Sequence, residues 1–239
     1  MKHLHLIIMS RAPVSGRTKT RLIPALGPDG ARDFHVACLN DLLQMAEGWL
    51  VKMQGKGIQV TPHLAITPPE SQEAFRAAGV RWPEPFIIQN QQGEKLGERM
   101  AQAITEVLGE GQPDTGVLLI GSDLPLLGER HLDWAARSLD TADVVLGPTM
   151  DGGYYLVGMN RFHPSLFAIG DWGGATVLDR TLEAARAEGL RTALLSRLPD
   201  VDTGEDLRVI LAHAGPGDVA RSAGLRYVQE NLATELVSA

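Results

Sequence analysis

Four basic side chains cluster near the start of the chain, directly after a short apolar run, Leu4–Met9, that predicts a β-strand. They are Arg11, Arg17, Lys19 and Arg21. The turn-forming pair Ser15-Gly16 lies among them. A loop of this kind between a strand and a helix can bind polyphosphate, because backbone N–H groups approach the phosphates and fixed cations neutralise them. A solvated basic loop explains the same residues equally well.

A carboxylate follows the most apolar strand of the chain. The run Val117–Ile120 is almost continuously apolar, which is typical of a central strand buried on both faces, and it leads into Gly121, Ser122, Asp123 and Pro125. Ligands of open α/β sheets bind outside the carboxyl ends of the strands. Asp123 is therefore a candidate ligand for a divalent metal, which favours oxygen donors. The alternative is that Asp123 caps the turn before Pro125.

A second acidic cluster spans Pro199–Leu207. Either Thr203 or Asp202 can cap a helix here, and acidic side chains in its first turn would complement the helix dipole. Capping explains most of these residues without a functional role. It leaves Asp202 available as a second metal carboxylate if the loop folds back over the sheet.

Two glycine-containing loops lie between these acidic segments. The first contains Asp151, Gly152, Gly153 and Tyr154, and it is either a tight hairpin turn or a ligand contact in which Asp151 and Tyr154 provide polar recognition. In the second, Gly170–Thr176, the indole of Trp172 either forms an apolar wall for a sugar or other acceptor, or simply packs over the site. The segment Gln89–Met100 also leads from a strand end into a helix and could line the same crevice.

Composition and missing motifs exclude several classes of protein. A net charge of −7 argues against broad binding to nucleic acid or anionic membranes. The single cysteine, Cys38, permits no intrachain disulfide and is predicted to be buried in a helix. No apolar run is long enough to span a bilayer and no signal peptide is evident, so a cytoplasmic protein is expected. Walker A and GxGxxG patterns are absent, which argues against P-loop ATPases and Rossmann dehydrogenases.

Strand-like and helical segments alternate along the chain, which predicts one α/β domain over residues 1–239 with a mostly parallel sheet covered on both faces. The predicted strands are Leu4–Met9, Gln59–Ile66, Phe86–Gln89, Val117–Gly121, Asp143–Gly147, Tyr154–Met159 and Arg191–Ser196. The predicted helices are Pro28–Glu47, Glu70–Ala78, Gly97–Leu108, Glu129–Leu139, Thr176–Glu188 and Glu205–Ala214.

Five segments, in order, resemble the DUF2064 family. They are RAPVSGRTKTRLIPALG, GSDLP, GPTMDGGYYLVGM, ATVLDRTL after the Trp172 loop, and DVDTGEDL. This family is assigned to the glycosyltransferases of the nucleotide-diphospho-sugar transferase superfamily, so the resemblance implies a GT-A-like three-layer sandwich around a mostly parallel sheet. It covers the chain from about Leu4 to Leu207.

The resemblance also implies roles for individual residues. Nucleotide and phosphate binding falls on Arg11, Gly16, Arg17, Lys19, Arg21 and Ser122, with Lys19 and Asp123 as catalytic residues. Mg²⁺ or Mn²⁺ binding falls on Asp123 and Asp202, and contacts with the acceptor or sugar fall on Asp151, Gly152, Gly153, Tyr154 and Trp172. The second acidic position of a DxD motif is Pro125 here, so the metal site is either incomplete or shared with Asp202.

The expected function is a metal-dependent transferase that uses a nucleotide-sugar donor for glycosyl transfer to a small-molecule acceptor. The first alternative is nucleotidyl transfer from a nucleoside triphosphate (NTP), because the KTRL element at Lys19–Leu22 resembles guanylyltransferases that act on phospholactate. The LAAGxGxR opening of sugar nucleotidyltransferases is absent, which favours glycosyl transfer. A non-catalytic nucleotide-binding protein of the same fold is the second alternative. Whether the chain forms a homo-oligomer stays open.

Overall fold

The computed structural model describes residues 1–82, 84–109 and 114–236. Its strands are β1 (His3–Arg11), β2 (Gln59–Thr67), β3 (Ile87–Asn90), β4 (Thr115–Gly121), β5 (Val144–Pro148), β6 (Tyr154–Met159) and β7 (Thr192–Leu194). Its α-helices are α1 (Ile23–Gly55), α2 (Gln72–Ala77), α3 (Leu96–Leu108), α4 (Glu129–Ser138), α5 (Val177–Ala187), α6 (Gly204–His213), α7 (Pro216–Arg221) and α8 (Ala223–Leu236). Short 3₁₀ helices occur at Thr20–Leu22 and Pro164–Phe167. Among the described residues, no helix combines the length and apolarity needed to cross a bilayer.

The strands form one sheet in the order β3-β2-β1-β4-β6-β5-β7. The pairs β1–β2, β1–β4, β2–β3 and β5–β7 are parallel, whereas β6 runs antiparallel to both β4 and β5. The carboxyl ends of the parallel strands and the amino end of β6 therefore meet at one edge of the sheet. This edge carries the residues that the sequence marked as candidates for chemistry.

Helices cover both faces of the sheet, so the predicted three-layer α/β architecture is confirmed. Alternate residues of β1 face opposite layers: Leu6 packs in a cluster with Trp49 of α1, and Ile7 packs in a cluster with Ile104 of α3. Both strand residues have no exposed surface. The central strands are thus buried on both sides, as their nearly continuous apolar sequences predict.

The helix predicted over Pro28–Glu47 is longer than expected, since α1 runs from Ile23 to Gly55. Gly27 adopts non-helical angles (φ 70°, ψ 170°) and separates a short first turn from the main body of α1. Because Pro28 lacks an N–H group, it is tolerated directly after this break. Cys38 lies on the buried face of α1, as predicted, and burial raises the pKa of its thiol.

The C-terminal helices α7 and α8 had no counterpart in the sequence predictions. Helix α8 packs on α1 through a cluster that joins Phe34 to Leu225 and Val228. The carboxylate of Asp41 on α1 accepts hydrogen bonds from Ser222 Oγ (3.0 Å) and from the N–H of Gly224 (3.1 Å). These contacts hold the C-terminal segment against α1.

Three histidines on β1 and β2 form a partly buried cluster that predicts acid sensitivity. His5 Nδ1 lies 2.9 Å from His63 Nε2, and the rings of His3 and His5 are 4.4 Å apart. Burial, followed by the charge of neighbouring rings, lowers the pKa of His5 and of His63 to about 4.

We expect the free energy of unfolding to fall as the pH drops from about 6.5 to about 4, by on the order of 1–3 kcal/mol for the pair. In this interval His5 and His63 are protonated in the unfolded chain but remain neutral in the folded protein, so lowering the pH favours unfolding. Urea denaturation at pH 7.0 and 4.5 measures the loss, and His63→Gln should reduce it. An equal pH dependence in the wild type and in His63→Gln would contradict this account.

Candidate functional site

A cleft of about 460 Å³ opens at the carboxyl edge of the sheet. The loop after β1, the ends of β1 and β4, the start of β6 and the first turns of α3 surround it. The predicted residues that line it are Arg11, Arg17, Lys19, Arg21, Ser122, Asp123, Tyr154 and Asp202. The sheet thus brings residues from four distant segments of the chain into one concave site.

The basic loop after β1 is held in shape by local hydrogen bonds. Thr18 Oγ1 donates to the Ala12 carbonyl (2.6 Å) and accepts from the N–H of Val14 (3.0 Å). The N–H of Ala12 in turn donates to the Thr67 carbonyl at the end of β2 (2.7 Å). Gly16 is exposed at φ 74°, and a side chain there would meet nothing within 4 Å. Gly16 is thus at the open tip of the loop and, unlike Arg17 and Lys19, is not among the residues that line the cleft.

Lys19 joins this loop to both predicted metal carboxylates. Its Nζ lies 2.8 Å from Asp202 Oδ1 and 3.1 Å from Asp123 Oδ2, and it also donates to the carbonyl of Val201. Burial of Lys19 disfavours its charge, but Asp123 and Asp202 outweigh that effect and raise its pKa. Lys19 has a left-handed backbone (φ 50°), and its side chain is only 7% exposed. It is thus a fixed cation between two acids.

The carboxylate of Asp202 is free for this contact because another residue caps α6. The Thr203 side chain accepts from the N–H of Asp206, and Asp206 Oδ2 accepts from the N–H of Thr203 (2.7 Å). Of the two capping candidates, Thr203 is therefore correct and Asp202 is wrong. Asp202 instead points toward Lys19 and Arg21, with Arg21 Nη1 at 3.7 Å from its Oδ2.

Asp123 is half-buried: its side chain is 40% exposed, but its Oδ1 atom is buried. Burial raises its pKa, but the charge of Lys19 and the contact with His35 outweigh this and hold the pKa well below its usual value. The backbone of the same residue is also anchored, since the Asp123 carbonyl accepts from the N–H of Val201 (3.3 Å). This bond ties the loop after β4 to the segment that carries Asp202.

The two carboxylates fit a divalent metal in their chemistry. Asp123 and Asp202 present carboxylate oxygens on either side of Lys19 Nζ, and Asp123 Oδ1 has only a long contact, 3.4 Å, with His35 Nδ1. Mg²⁺ is commonly held by one or two protein carboxylates together with substrate phosphates. No group of three or more His, Cys, Asp and Glu side chains within the described ranges could hold a metal alone. Lys19 presently bridges the two acids, so a metal bound by both would compete with its ammonium group.

A third acidic residue near the site, Asp200, was not singled out from the sequence. Burial, together with the charges of Asp151 and Asp202, raises the pKa of Asp200 to about 6. Asp200 therefore accepts a proton more readily than an ordinary aspartate.

The Asp151-Gly152-Gly153 segment forms a tight turn between β5 and β6. The N–H of Thr149 donates to the Gly153 carbonyl (3.1 Å), and the N–H of Gly153 donates to Asp151 Oδ1 (3.0 Å). The hairpin interpretation is thus correct, and the Asp151 carboxylate stabilises its own turn. None of these three residues is among those that line the cleft.

Gly152 has a backbone conformation that residues with a side chain rarely adopt, and it lies close to Ala175, so Gly152→Ala is predicted to reduce stability strongly. Its φ is 92°, and a Cβ there would lie 2.0 Å from the carbonyl oxygen of Ala175. Gly173 has almost the same φ, 93°, with nothing within 4 Å, and is a matched control.

We expect Gly152→Ala to destabilise the protein by about 3 kcal/mol or more and Gly173→Ala by about 1 kcal/mol, because only the first adds a clash to backbone strain. Thermal or urea unfolding measures both. Equal losses would contradict the close approach of the turn to Ala175.

Trp172 lies behind the cleft instead of forming its wall. Its ring packs so closely on Gly97 at the start of α3 that a Cβ on Gly97 would lie 2.2 Å from Trp172 Nε1. It also makes an edge-to-face contact with Tyr154, with ring centroids 6.1 Å apart. The packing interpretation of Trp172 is therefore correct, and the aromatic residues Tyr154 and Tyr155 line the cleft.

Sequence reasoning missed His35 and the exact role of Gln91. Gln91 Nε2 donates to the carbonyls of Ala65 (2.8 Å) and Ser10 (3.2 Å), which ties the end of β3 to the ends of β1 and β2. Arg99, from the segment that was predicted to line the crevice, does line it. His35 on α1 touches Asp123 across 88 positions of the chain, and no local pattern marks such a contact.

Residues 50–174, just over half of the chain, match the family described as "Uncharacterized protein conserved in bacteria (DUF2064)". The chain belongs to the DUF2064 family. The family predicted from the sequence motifs is therefore confirmed, and the match includes β4, Asp123 and the β5–β6 turn of this DUF2064 protein.

Two relatives of this DUF2064 protein are both named 2-phospho-L-lactate guanylyltransferase. The protein from Haloarcula marismortui is 30% identical over 210 residues, which cover 84% of each chain. The protein from Methanopyrus kandleri is 35% identical over 118 residues, which cover 46% of the DUF2064 protein and 58% of the relative. The match thus spans less than two thirds of the Methanopyrus protein.

A solved structure from Desulfovibrio desulfuricans G20, assigned as a nucleotide-diphospho-sugar transferase, shares the whole fold. It aligns with a TM-score of 0.83 at 30% identity and covers 98% of the DUF2064 protein and 96% of its own chain. The expected nucleotide-diphospho-sugar transferase fold is therefore confirmed. Together these relatives place the chain among enzymes of the transferase class.

Proposed function

We propose that this DUF2064 protein is a nucleotidyltransferase that joins the nucleoside monophosphate part of an NTP to a small phosphorylated organic acid. Both guanylyltransferase relatives favour this reading over the glycosyl transfer expected from the sequence. Their names make GTP and 2-phospho-L-lactate the first substrates to test. The single structural observation that supports the proposal is Lys19, held between Asp123 and Asp202 in a cleft rimmed by arginines.

The charge of the site suits a triphosphate. Arg11, Arg17 and Arg21 are exposed at the cleft, and the N-terminal loop presents them around Gly16. Within the described residues, Arg11 and Arg17 have no ion-pair partner, so their charges are available to an anion. The whole chain carries a charge of −7, so an extended polyanion would also meet negative surface. A local positive patch on such a protein therefore favours a small anionic ligand.

In the proposed reaction, a phosphate oxygen of the acceptor attacks the α-phosphorus of the NTP. The bond from that phosphorus to the α–β bridging oxygen breaks, and pyrophosphate leaves with the bond's electron pair. Lys19 and the loop arginines would stabilise the negative charge that grows on the leaving group, an effect that commonly provides the largest catalytic contribution. Mg²⁺ or Mn²⁺, held by Asp123 and Asp202, would supply Lewis-acid polarisation of the phosphates.

The test is pyrophosphate release with each of GTP, ATP, CTP and UTP, in the presence of Mg²⁺ and 2-phospho-L-lactate or another phosphorylated organic acid. Release that requires both substrates supports nucleotidyl transfer. Release of nucleoside diphosphate from nucleotide-sugars, without pyrophosphate from any NTP, would establish glycosyl transfer instead. A nucleotide-induced rise in Tm with no turnover would leave only a binding protein.

A further inference from the structure

His35 connects the start of the basic loop to Asp123. Its imidazole extends from α1 and is only 2% exposed. Nε2 lies 3.0 Å from the Arg11 carbonyl and 3.3 Å from Ser10 Oγ, at the end of β1. On the other side of the ring, Nδ1 lies 3.4 Å from Asp123 Oδ1. One side chain therefore touches both halves of the proposed site.

The two ends of the ring have different partners. The Arg11 carbonyl and the Asp123 carboxylate can both only accept, so the ring makes both contacts when each of its nitrogens carries a hydrogen. His35 Nδ1 and Asp123 Oδ1 are both buried, and neither has another hydrogen-bond partner among the described residues. Catalytic hydrogen bonds are often long in ligand-free sites and shorten when substrate binds. The 3.4 Å contact is thus the one available partner for each buried atom.

We propose that His35 is a positioning residue: it fixes the Asp123 carboxylate relative to the basic loop and so aligns it for transfer. This inference rests on the proposed nucleotidyl transfer. His35 also lines the cleft, but its two ring nitrogens face Asp123 and the Arg11–Ser10 end of β1, so its role is to orient these groups. Its contribution is to hold two strand ends, β1 and β4, at a constant separation from the reacting phosphates.

Two substitutions of His35 test the contacts of Nδ1 and Nε2 separately. In His35→Asn the amide nitrogen is as many bonds from Cβ as Nδ1, so it can contact Asp123 but cannot reach Arg11. In His35→Gln the amide nitrogen matches Nε2, so it can contact the Arg11 carbonyl but leaves Asp123 without a partner. His35→Ala removes both contacts and serves as the reference.

We expect kcat for pyrophosphate release to fall about 100-fold in His35→Ala, since a displacement of about 1 Å at a reacting centre has an effect of this size. His35→Asn should recover most of kcat, and His35→Gln should recover Tm but little of kcat, with the KM for NTP changing less than kcat in each variant. If Gln restores kcat and Asn does not, or if Ala leaves kcat within about twofold, the positioning role is wrong.

A spectroscopic measurement tests the contact without activity. In protein labelled with ¹⁵N-histidine, the Nδ1 resonance of His35, assigned by its loss in His35→Asn, should shift in Asp123→Asn. It should change much less in Asp202→Asn, the matched control, because Asp202 contacts Lys19 and Arg21. An unchanged resonance in Asp123→Asn would overturn the inference whatever the activity. If the shift occurs but the wild type releases no pyrophosphate from any NTP, the proposed function has failed and the His35–Asp123 contact stands.

Discussion

Asp123→Asn should reduce kcat/KM for pyrophosphate release by about 1,000-fold while the protein stays folded. The substitution keeps the shape of the side chain but removes the negative charge that holds Lys19 and would hold a divalent metal. Loss of one well-placed electrostatic contact in an active site commonly lowers the rate 10²–10³-fold, and a metal ligand adds to that effect. The fold should survive, because Lys19 keeps its contacts with Asp202 and with the Val201 carbonyl.

Asp114→Asn provides the matched control for this prediction. The Asp114 carboxylate is 60% exposed and pairs only loosely with Lys2, at 3.8 Å, before the start of β4. It lies at the opposite end of the strand that leads to Asp123, so the same chemical change there should leave kcat/KM within about twofold. Steady-state pyrophosphate release and a thermal melt measure both variants. Full activity in Asp123→Asn would show that the Asp123 carboxylate has no role in the reaction.

Lys19→Met should have two effects, one on rate and one on stability. The rate should fall about 10²–10³-fold, because the fixed cation nearest the proposed leaving group is lost. The Tm should also fall in metal-free buffer, because Asp123 and Asp202 then face each other without a neutralising charge. Met is no more strained than Lys in the left-handed backbone at this position, so the change in Tm reports the lost charge.

Added Mg²⁺ should raise the Tm of Lys19→Met more than that of the wild type, since the ion no longer competes with an ammonium group for the two carboxylates. Lys52→Met is the control. Lys52 Nζ also lies between two acids, 3.2 Å from Glu129 Oε2 and 2.7 Å from Asp133 Oδ2, but on the outer surface away from the cleft. Its melt should respond to Mg²⁺ no more than the wild type. Equal Mg²⁺ responses in all three proteins would show that Asp123 and Asp202 do not share a metal site.

The strands were predictable because their sequence pattern is set by burial. The apolar run of β4 and the alternation of strands with helices reflect a sheet that is covered on both faces, and Asp123 at a strand end follows from the same logic. The role of the glycine segment before β6 was harder to predict, because a tight turn and a ligand-binding loop can have the same sequence. The structure resolves this with the Gly152 contact to Ala175, which lies 23 positions away.

The parts of the site that escaped prediction all depend on contacts between distant segments. His35 looks like any histidine in a helix until the fold brings it to Asp123. From the sequence, Trp172 could lie either in the cleft or against α3. It packs against α3 because Gly97 has no side chain to block this contact. Thr203 and Asp202 are adjacent, and only the folded structure shows that Thr203 caps α6 while the Asp202 carboxylate contacts Lys19. These roles belong to tertiary structure, not to local pattern.

The reversed direction of β6 places the Asp151–Gly153 turn between two neighbouring strands at the cleft edge of the sheet. None of these three residues lines the cleft, and Gly152 instead packs against Ala175, just before α5. Tyr154 and Tyr155, which follow the turn directly, do line the cleft. A change in the turn would therefore affect a bound substrate only indirectly, by displacing these two tyrosines.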